Sequence, residues 1–214
     1  LCIFLPAFQE STSLKELHVD SRLIGGPSNL ALENMLTHTQ SLLSLSLTCP
    51  EYGILEDMAM DAARSGLKKN STLRELTLEV DEGAATLFPI LTSLQGHPHL
   101  RRLCLRGHVV DLNGLETVLL SDNSKITELV ILNSLDGPAI VGLTHVLQAF
   151  ARHTTLTKLK LHNVVLRSDK MRQLGMILCN TQSLQTVVLI NITLGSAELA
   201  ELAPALYRNT SIKE

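Results

Sequence analysis

The chain contains no tryptophan, and only 3% of its 214 residues are aromatic, although 45% are apolar. A core of ordinary apolar content must then be built from aliphatic side chains, above all from leucine. Aliphatic packing of this kind suggests a repetitive architecture.

An excess of charge of one sign is also lacking, since 18 Lys and Arg residues face 21 Asp and Glu residues, for a net charge of −3. Such a balance gives no global attraction to nucleic acid or to an anionic membrane. No apolar run reaches the roughly 18 residues of a membrane span, and the N-terminus lacks the layout of a signal peptide. We expect a soluble, cytoplasmic protein with neither a nucleic acid nor a membrane as partner.

Cysteine is too scarce and too widely spaced for a disulfide framework, and no pair has the spacing of zinc ligands. The four cysteines are Cys2, Cys49, Cys104 and Cys179. His97 and His99 flank a proline, but no cysteine or carboxylate lies near them in the sequence. The sequence therefore predicts reduced thiols, no metal site and no cofactor.

One phrase recurs along the whole chain: SLKELHV at 13–19, SLLSLSL at 41–47, TLRELTL at 72–78, HLRRLCL at 99–105, KITELVI at 125–131, TLTKLKL at 155–161, SLQTVVL at 183–189 and a truncated SIKE at 211–214. Its first apolar residues, called the anchors below, are Leu14, Leu42, Leu73, Leu100, Ile126, Leu156, Leu184 and Ile212. The anchors are 26 to 31 residues apart. An L-x-x-L-x-L core at about this period is the signature of leucine-rich repeats.

Apolar residues also recur thirteen, ten and six positions before an anchor, in steps that place them on one stripe of a helix. They are Leu1, Phe4 and Phe8; Leu87, Ile90 and Leu94; Leu143, Val146 and Phe150; Met171, Leu174 and Leu178; and Leu199, Leu202 and Leu206. Each unit is thus predicted to be a strand, a loop and an amphipathic helix. Asn70, Asn180 and Asn209, with His38 and His153 in the same place, follow the helices and are expected to close them, because Asn tolerates the left-handed conformation.

The repeats resemble the ribonuclease-inhibitor type of leucine-rich repeat, whose units are near 28 residues with a full helix. The resemblance implies an α/β solenoid, or horseshoe, of about seven repeats, with a parallel sheet on the concave face and helices on the convex face. Where the family carries an inward Asn or Cys, this chain has Val164 and Ile192, with Asn163 and Asn191 one position earlier. We expect residues 1–214 to form a single leucine-rich repeat domain without polar caps at either end, as in a fragment of a longer solenoid.

In an L-x-x-L-x-L strand the third, fifth and seventh residues face outward on the concave side, because side chains alternate along a strand. The predicted partner-binding site lies among these positions in repeats four to seven. An apolar centre is predicted at Val130, Leu132, Val188 and Ile190, and charged or polar surroundings at Arg102, Arg106, Glu128, Lys158, Lys160 and His162. Exposed apolar clusters with a charged surround tend to be interaction sites, and charges at a rim mainly raise the on-rate. In the alternative interpretation the apolar residues are simply strand formers, or are covered by another segment, and the cations are a solvated face.

Motifs for catalysis are missing: there is no G-x-x-x-x-G-K phosphate loop, no G-x-S-x-G elbow and no H-E-x-x-H pair. A concave sheet lined by short side chains offers no deep pocket for a small-molecule substrate. We therefore predict no enzyme, but a scaffold for protein–protein interaction and signalling. It would be the recognition region of a larger protein, such as a nucleotide-binding immune-type receptor or an LRR GTPase, with another protein, possibly acidic at its surface, as partner.

Two other functions stay open at the level of sequence. Some proteins with these repeats regulate a small GTPase, as the Ran activator does, through loop residues at the strand ends. An extracellular glycoprotein receptor is the second, since Asn70, Asn191 and Asn209 each begin an Asn-x-Ser/Thr sequon.

Overall fold

The computed structural model describes residues 4–20, 27–49, 54–80, 87–107, 112–134 and 140–213. Helices and strands alternate along these residues. The helices are α1 Phe4–Gln9, α2 Pro27–His38, α3 Ile54–Lys69, α4 Phe88–Ser93, α5 Leu115–Leu119, α6 Leu143–Phe150, α7 Ser168–Asn180 and α8 Ser196–Arg208. The strands are β1 Glu16–Asp20, β2 Ser44–Cys49, β3 Glu75–Val80, β4 Arg102–Gly107, β5 Glu128–Asn133, β6 Lys158–His162 and β7 Thr186–Ile190.

The seven strands form one parallel sheet whose spatial order is the order of the chain. Parallel neighbours need a crossover connection, which the helix of each repeat supplies. The residue after each anchor joins one repeat to the next, because its carbonyl accepts two N–H groups of the following strand. The carbonyl of Leu43, for example, accepts from the N–H groups of Arg74 at 2.8 Å and of Glu75 at 3.0 Å. The predicted α/β solenoid is confirmed.

The main core lies between the sheet and the helices and is filled by the leucines of the repeated phrase. Leu76, Leu103, Leu129 and Leu159 are fully buried on four adjacent strands. The anchors of repeats two to seven are at most 3% exposed. Leucine can therefore replace aromatic residues in this core, because every repeat presents the same aliphatic surface to its neighbours.

The predicted helix stripes are confirmed in α6 and α7 and at Leu87, Ile90 and Leu94, which are all buried. The prediction is wrong for part of the first and last helices. Phe4 is 63% exposed, and Leu199 and Leu206 are 49% and 45% exposed. Among the described helices, α7 is the one that packs closely on α8, and the buried residues of α8 are Leu202 and Ala205. Leu1 lies outside the described residues.

Helices α4 and α5, in the middle of the chain, are shorter than the full helix that the resemblance implies. Helix α4 has six residues and α5 has five, against sixteen in α3. Gly114 begins α5 in the left-handed conformation, with φ of 88°. No helix of the described ranges is long and apolar enough to cross a membrane.

The turns from helix to strand are held by a side chain three residues before the anchor. The N–H of Leu73 donates to Oδ1 of Asn70 at 2.9 Å, and the N–H of Leu156 donates to Nδ1 of His153 at 3.0 Å. The predicted left-handed role of these residues is wrong: Asn209 has φ of −74° and ψ of 133°. A short polar side chain accepts the anchor N–H here, which would otherwise lack a partner. The left-handed asparagines are Asn163 and Asn191, directly after strands β6 and β7.

Candidate functional site

The predicted site residues lie in three rows across the concave face, because strands β3 to β7 are in register. One row runs through Glu75, Arg102, Glu128, Lys158 and Thr186. The middle row runs through Thr77, Cys104, Val130, Lys160 and Val188, and the third through Glu79, Arg106, Leu132, His162 and Ile190. Ten predicted residues are thus brought onto one surface, about 4.8 Å apart from strand to strand.

The cations of this face are neutralised by carboxylates of the same face. Glu128 is central: its carboxylate lies 3.7 Å from Nε of Arg102, 3.8 Å from Nζ of Lys158 and 3.5 Å from Nζ of Lys160. Arg102 also donates a hydrogen bond to Glu75, with 3.2 Å between Nη1 and Oε2. Nε of Arg106 lies 3.6 Å from Oε1 of Glu79.

These contacts leave little charge for a partner. The rows hold three carboxylates and four cations, so one positive charge is in excess. Each exposed pair contributes about 0 to 1 kcal/mol to stability. From the sequence, the cations of this face are expected to attract an acidic partner. Because most of them form ion pairs with carboxylates of the same face, that attraction is reduced.

Val130 is not exposed, and its predicted place in an exposed patch is wrong. It is 4% exposed, and its register neighbour Cys104 is 5% exposed. Both face away from the main core, on the concave side of the sheet. The rows on either side carry Arg102 and Arg106, and Lys160 follows Val130 in the same row. Long aliphatic stems of this kind cover apolar surface while their charged ends stay in water. Burial raises the pKa of the Cys104 thiol, against the opposing effect of the two arginines.

The remaining apolar residues form an accessible group at the end of the sheet. Ile190 is 45% exposed, and Leu132 and Val188 are half-buried. His162 lies between Leu132 and Ile190 in the register and is also half-buried. We call Leu132, His162, Val188 and Ile190 the concave apolar cluster.

The grooves of the described surface are open and lined mainly by polar residues. One of about 610 Å³ lies between α3 and α4, and one of about 530 Å³ lies between the loops that follow β6 and β7. Within the described ranges no group of three or more His, Cys, Asp or Glu residues is arranged to hold a metal ion. Cys104 and Cys179 are free thiols. The side chains of Cys2 and Cys49 lie outside the described residues.

The pattern of outward strand positions does not indicate the basic residues that lie in the helix-to-strand turns. Arg74, His99, Arg101 and Lys125 are all exposed at the edge where the strands begin. The sequence did contain a signal, because Ser or Thr precedes the anchor in six repeats, whereas His99 and Lys125 take this place in the other two.

The sheet order and the helical layer define an α/β solenoid of the leucine-rich-repeat type. No protein-family model matches the sequence, and no curated protein matches it. Among solved structures, the chain is similar to the tropomodulin C-terminal domain of Caenorhabditis elegans, with 14% identity over 97% of this chain and 90% of that one, at a TM-score of 0.30. It is also similar to actin-binding site 2 of leiomodin-1, with 13% identity over 96% and 86% of the two chains and a TM-score of 0.31. A likeness at this level assigns no function to the chain.

Proposed function

We propose that this chain is a protein-recognition module that binds its partner through the concave apolar cluster. The observation that supports this most directly is the exposure of Ile190 beside half-buried Val188 and Leu132 on a sheet face that otherwise carries paired charges. Apolar side chains left in water on a rigid, regular surface are typical of interaction sites.

The cluster has the composition of the centre of an interface. Full burial of an exposed Ile or Val side chain contributes roughly 1.5 to 3 kcal/mol, so a few such residues can supply most of a binding energy. Glu128, Lys158 and Lys160 lie next to the cluster and would form its polar rim. Since their charges largely compensate one another, they fix the orientation of the partner more than they attract it.

We further infer that the repeats are of the ribonuclease-inhibitor type, because the units are 26 to 31 residues long and most include a helix of two or more turns. In this proposal the chain is a cytoplasmic recognition region that binds and does not catalyse, and it contributes to signalling as part of a larger protein. The grooves are open, and the carboxylates of the concave face form ion pairs with cations. Both features favour binding over catalysis.

The proposal is tested by photo-crosslinking in an extract of the cells that produce the protein. A photoreactive residue in place of His162 should give a discrete adduct, and the same residue in place of Met176, which is 55% exposed on convex helix α7, should not. Ile190→Glu should abolish the adduct at position 162, because a carboxylate cannot be buried in an apolar contact. An adduct that persists in Ile190→Glu, or equal adducts at both positions, would refute a site at the cluster.

A further inference from the structure

The turns from helix to strand carry a net charge opposite to that of the chain. Seven such turns and the corresponding segment 209–213 after α8 are described, and the seven turns lie at one edge of the solenoid because every strand of a parallel sheet begins there. Together, the turns and this segment contain six cations and two carboxylates, although the chain as a whole has a net charge of −3. The cations are Lys15, Arg74, Arg101, Lys125, Arg152 and Lys213, and the carboxylates are Glu10 and Asp122.

In repeats four and five a basic residue takes the place of a hydroxyl that forms a hydrogen bond in other repeats. The hydroxyl just before an anchor donates to the carbonyl of the preceding anchor, from Ser41 at 2.8 Å, from Thr72 at 2.9 Å and from Thr155 at 2.9 Å. His99 and Lys125 take this position in repeats four and five, and both side chains are exposed. Such a hydrogen bond stabilises the turn. Repeats four and five thus give up stability for an imidazole and a cation at the surface.

Arg74 and Arg101 carry like charges at equivalent positions of two neighbouring repeats. The N–H of Arg101 donates to the carbonyl of Arg74 at 2.8 Å, so their side chains leave the sheet side by side. Like charges directly opposite each other destabilise a sheet. Neither guanidinium forms an ion pair with any residue of the described ranges, in contrast to Arg102 and Arg106 on the concave face. Two adjacent like charges without counter-charges are unfavourable for stability, and such uncompensated local arrangements are expected at functional sites.

A groove is lined in part by the last residues of α3 and α4, which precede the turns that contain Arg74 and Arg101. It measures about 610 Å³, lies between α3 and α4, and is lined by three cations, three hydroxyls and Pro89. The lining residues are Arg64, Ser65, Lys68, Lys69, Pro89, Thr92 and Ser93. Two of the cations are engaged, Lys69 with Glu33 at 2.9 Å and Arg64 with Asp61 at 3.4 Å. Lys68 forms no ion pair within the described part of the chain, which leaves it available to a ligand.

We propose that Lys68, Arg74, His99, Arg101 and Lys125, here called the basic edge, bind an acidic polypeptide segment in extended form. The row of cations along the edge matches a chain that carries several carboxylates, and the polar groove beside it can receive one end of that chain. Four residues of the basic edge lie just before the strands, Lys68 lies near the end of α3, and none belongs to the concave apolar cluster. The two surfaces therefore stand or fall independently.

Other polyanions fit the basic edge less well. The turns at 70–74, 94–101 and 120–127 contain no Phe, Tyr or Trp on which a nucleic-acid base could stack. The cations follow a narrow row beside a groove, whereas contact with a bilayer needs a broad plane. An acidic polypeptide can be bound by cations and hydroxyl groups alone, which are the groups present at the basic edge and in the groove.

The test measures the fluorescence anisotropy of a labelled oligoglutamate peptide titrated with the protein. The wild type should bind with an affinity that falls as salt is raised, because the contacts are exposed and ionic. Arg74→Glu combined with Arg101→Glu should weaken binding by at least about tenfold, since two attractions become repulsions. The matched control is Arg167→Glu combined with Lys170→Glu, which changes the net charge equally at the opposite edge, where α7 begins, and should leave the affinity within about twofold.

Three results would overturn the proposal. Equal losses in both double variants would mean that the peptide responds only to net charge. No binding by a wild type that is folded by circular dichroism would remove the site. Tighter binding of an oligothymidine strand or of phosphatidylserine vesicles than of oligoglutamate would assign the basic edge to a different polyanion.

Discussion

The backbone N–H of Leu100 donates a hydrogen bond to Nδ1 of His97 at 3.1 Å. The imidazole is 7% exposed, and burial, helped by the nearby His99, lowers its pKa from 6.5 to about 4. Protonation of Nδ1 would turn the acceptor into a donor that faces another donor. His153 makes the same contact with Leu156, and burial lowers its pKa too. Two turns of this solenoid therefore depend on a neutral imidazole.

We predict that His97→Asn makes the protein less sensitive to acid. In the unfolded chain His97 takes up a proton near pH 6.5, whereas the folded state resists protonation down to about pH 4. The stabilisation is therefore complete above pH 6.5 and is lost as the pH falls towards 4, by about 3 kcal/mol at most, since one pKa unit corresponds to about 1.4 kcal/mol. Asn fits this position, as Asn70 and Asn209 show in other repeats.

The measurement is the free energy of urea unfolding at several pH values between 7 and 4, compared between wild type and variant. His145→Asn, the same substitution at an exposed position of α6, controls for the change of residue type. Parallel loss of stability in the wild type and in His97→Asn would show that another group causes the acid sensitivity.

Asn70→Ala should destabilise the protein by about 3 kcal/mol, because it removes three hydrogen bonds from a buried side chain. Nδ2 donates to the carbonyl of Leu36 at 2.7 Å, while Oδ1 accepts from the N–H groups of Thr72 and Leu73. Asn180→Ala is the control: its exposed side chain makes one bond, to Met176, and its loss should cost less than about 0.5 kcal/mol. Similar denaturation midpoints for the two variants would contradict the role given to Asn70.

Lys160→Ala should lower the free energy of unfolding by about 1 kcal/mol more than Lys160→Met. Both variants lose the ion pair with Glu128, but only Met retains an unbranched stem beside Val130. The difference isolates the cover that this stem gives to a buried apolar side chain. Chemical denaturation of the two variants measures it, and equal stabilities would mean that Lys160 does not shield Val130.

Gly107→Ala should be one of the most damaging single-methyl changes in the sheet. A Cβ at this position would lie 2.1 Å from the carbonyl oxygen of Val80 on the adjacent strand, so the backbone must move. At Gly96, where φ is +71°, an added Cβ would meet only Ser121 Oγ, at 3.7 Å. Gly96→Ala therefore has backbone strain of about 1 kcal/mol, and Gly107→Ala should exceed it by at least about 2 kcal/mol in thermal or urea unfolding.

The parts of the fold that repeat were predictable, because a repeated phrase reports the same environment several times. Leu73, Leu100 and Leu156 are buried as the pattern requires, and the outward residues fall on the concave rows in register. Single departures were harder. Leu199 and Leu206 fit the helical stripe, yet they are exposed in α8, on which α7 is the one described helix that packs closely.

The sequence could predict which residues share the concave surface, but it could not predict which of them are exposed. Val130 occupies an outward position by sequence, yet it is buried on a face whose neighbouring strands carry the long side chains of Arg102, Arg106 and Lys160, which no single repeat reveals. The pairing of Lys158 and Lys160 with Glu128 has the same origin, since residues about thirty positions apart meet across the sheet. Asn70 was misread because Asn suits both a left-handed turn and an acceptor role, and only the backbone angles distinguish them.

The hydrogen bonds to the carbonyl group of the residue after each anchor have a mechanical consequence. Leu43 links its repeat to Arg74 and Glu75 of the next, and the same fork recurs from repeat to repeat, always between neighbours in sequence. A stretching force on the chain would therefore meet a series of similar, local joints and no distant clasp. Each joint that opened would release one unit, about 28 residues or roughly 95 Å of extended chain. Under tension the molecule would lengthen in steps and stay folded beyond the last joint opened.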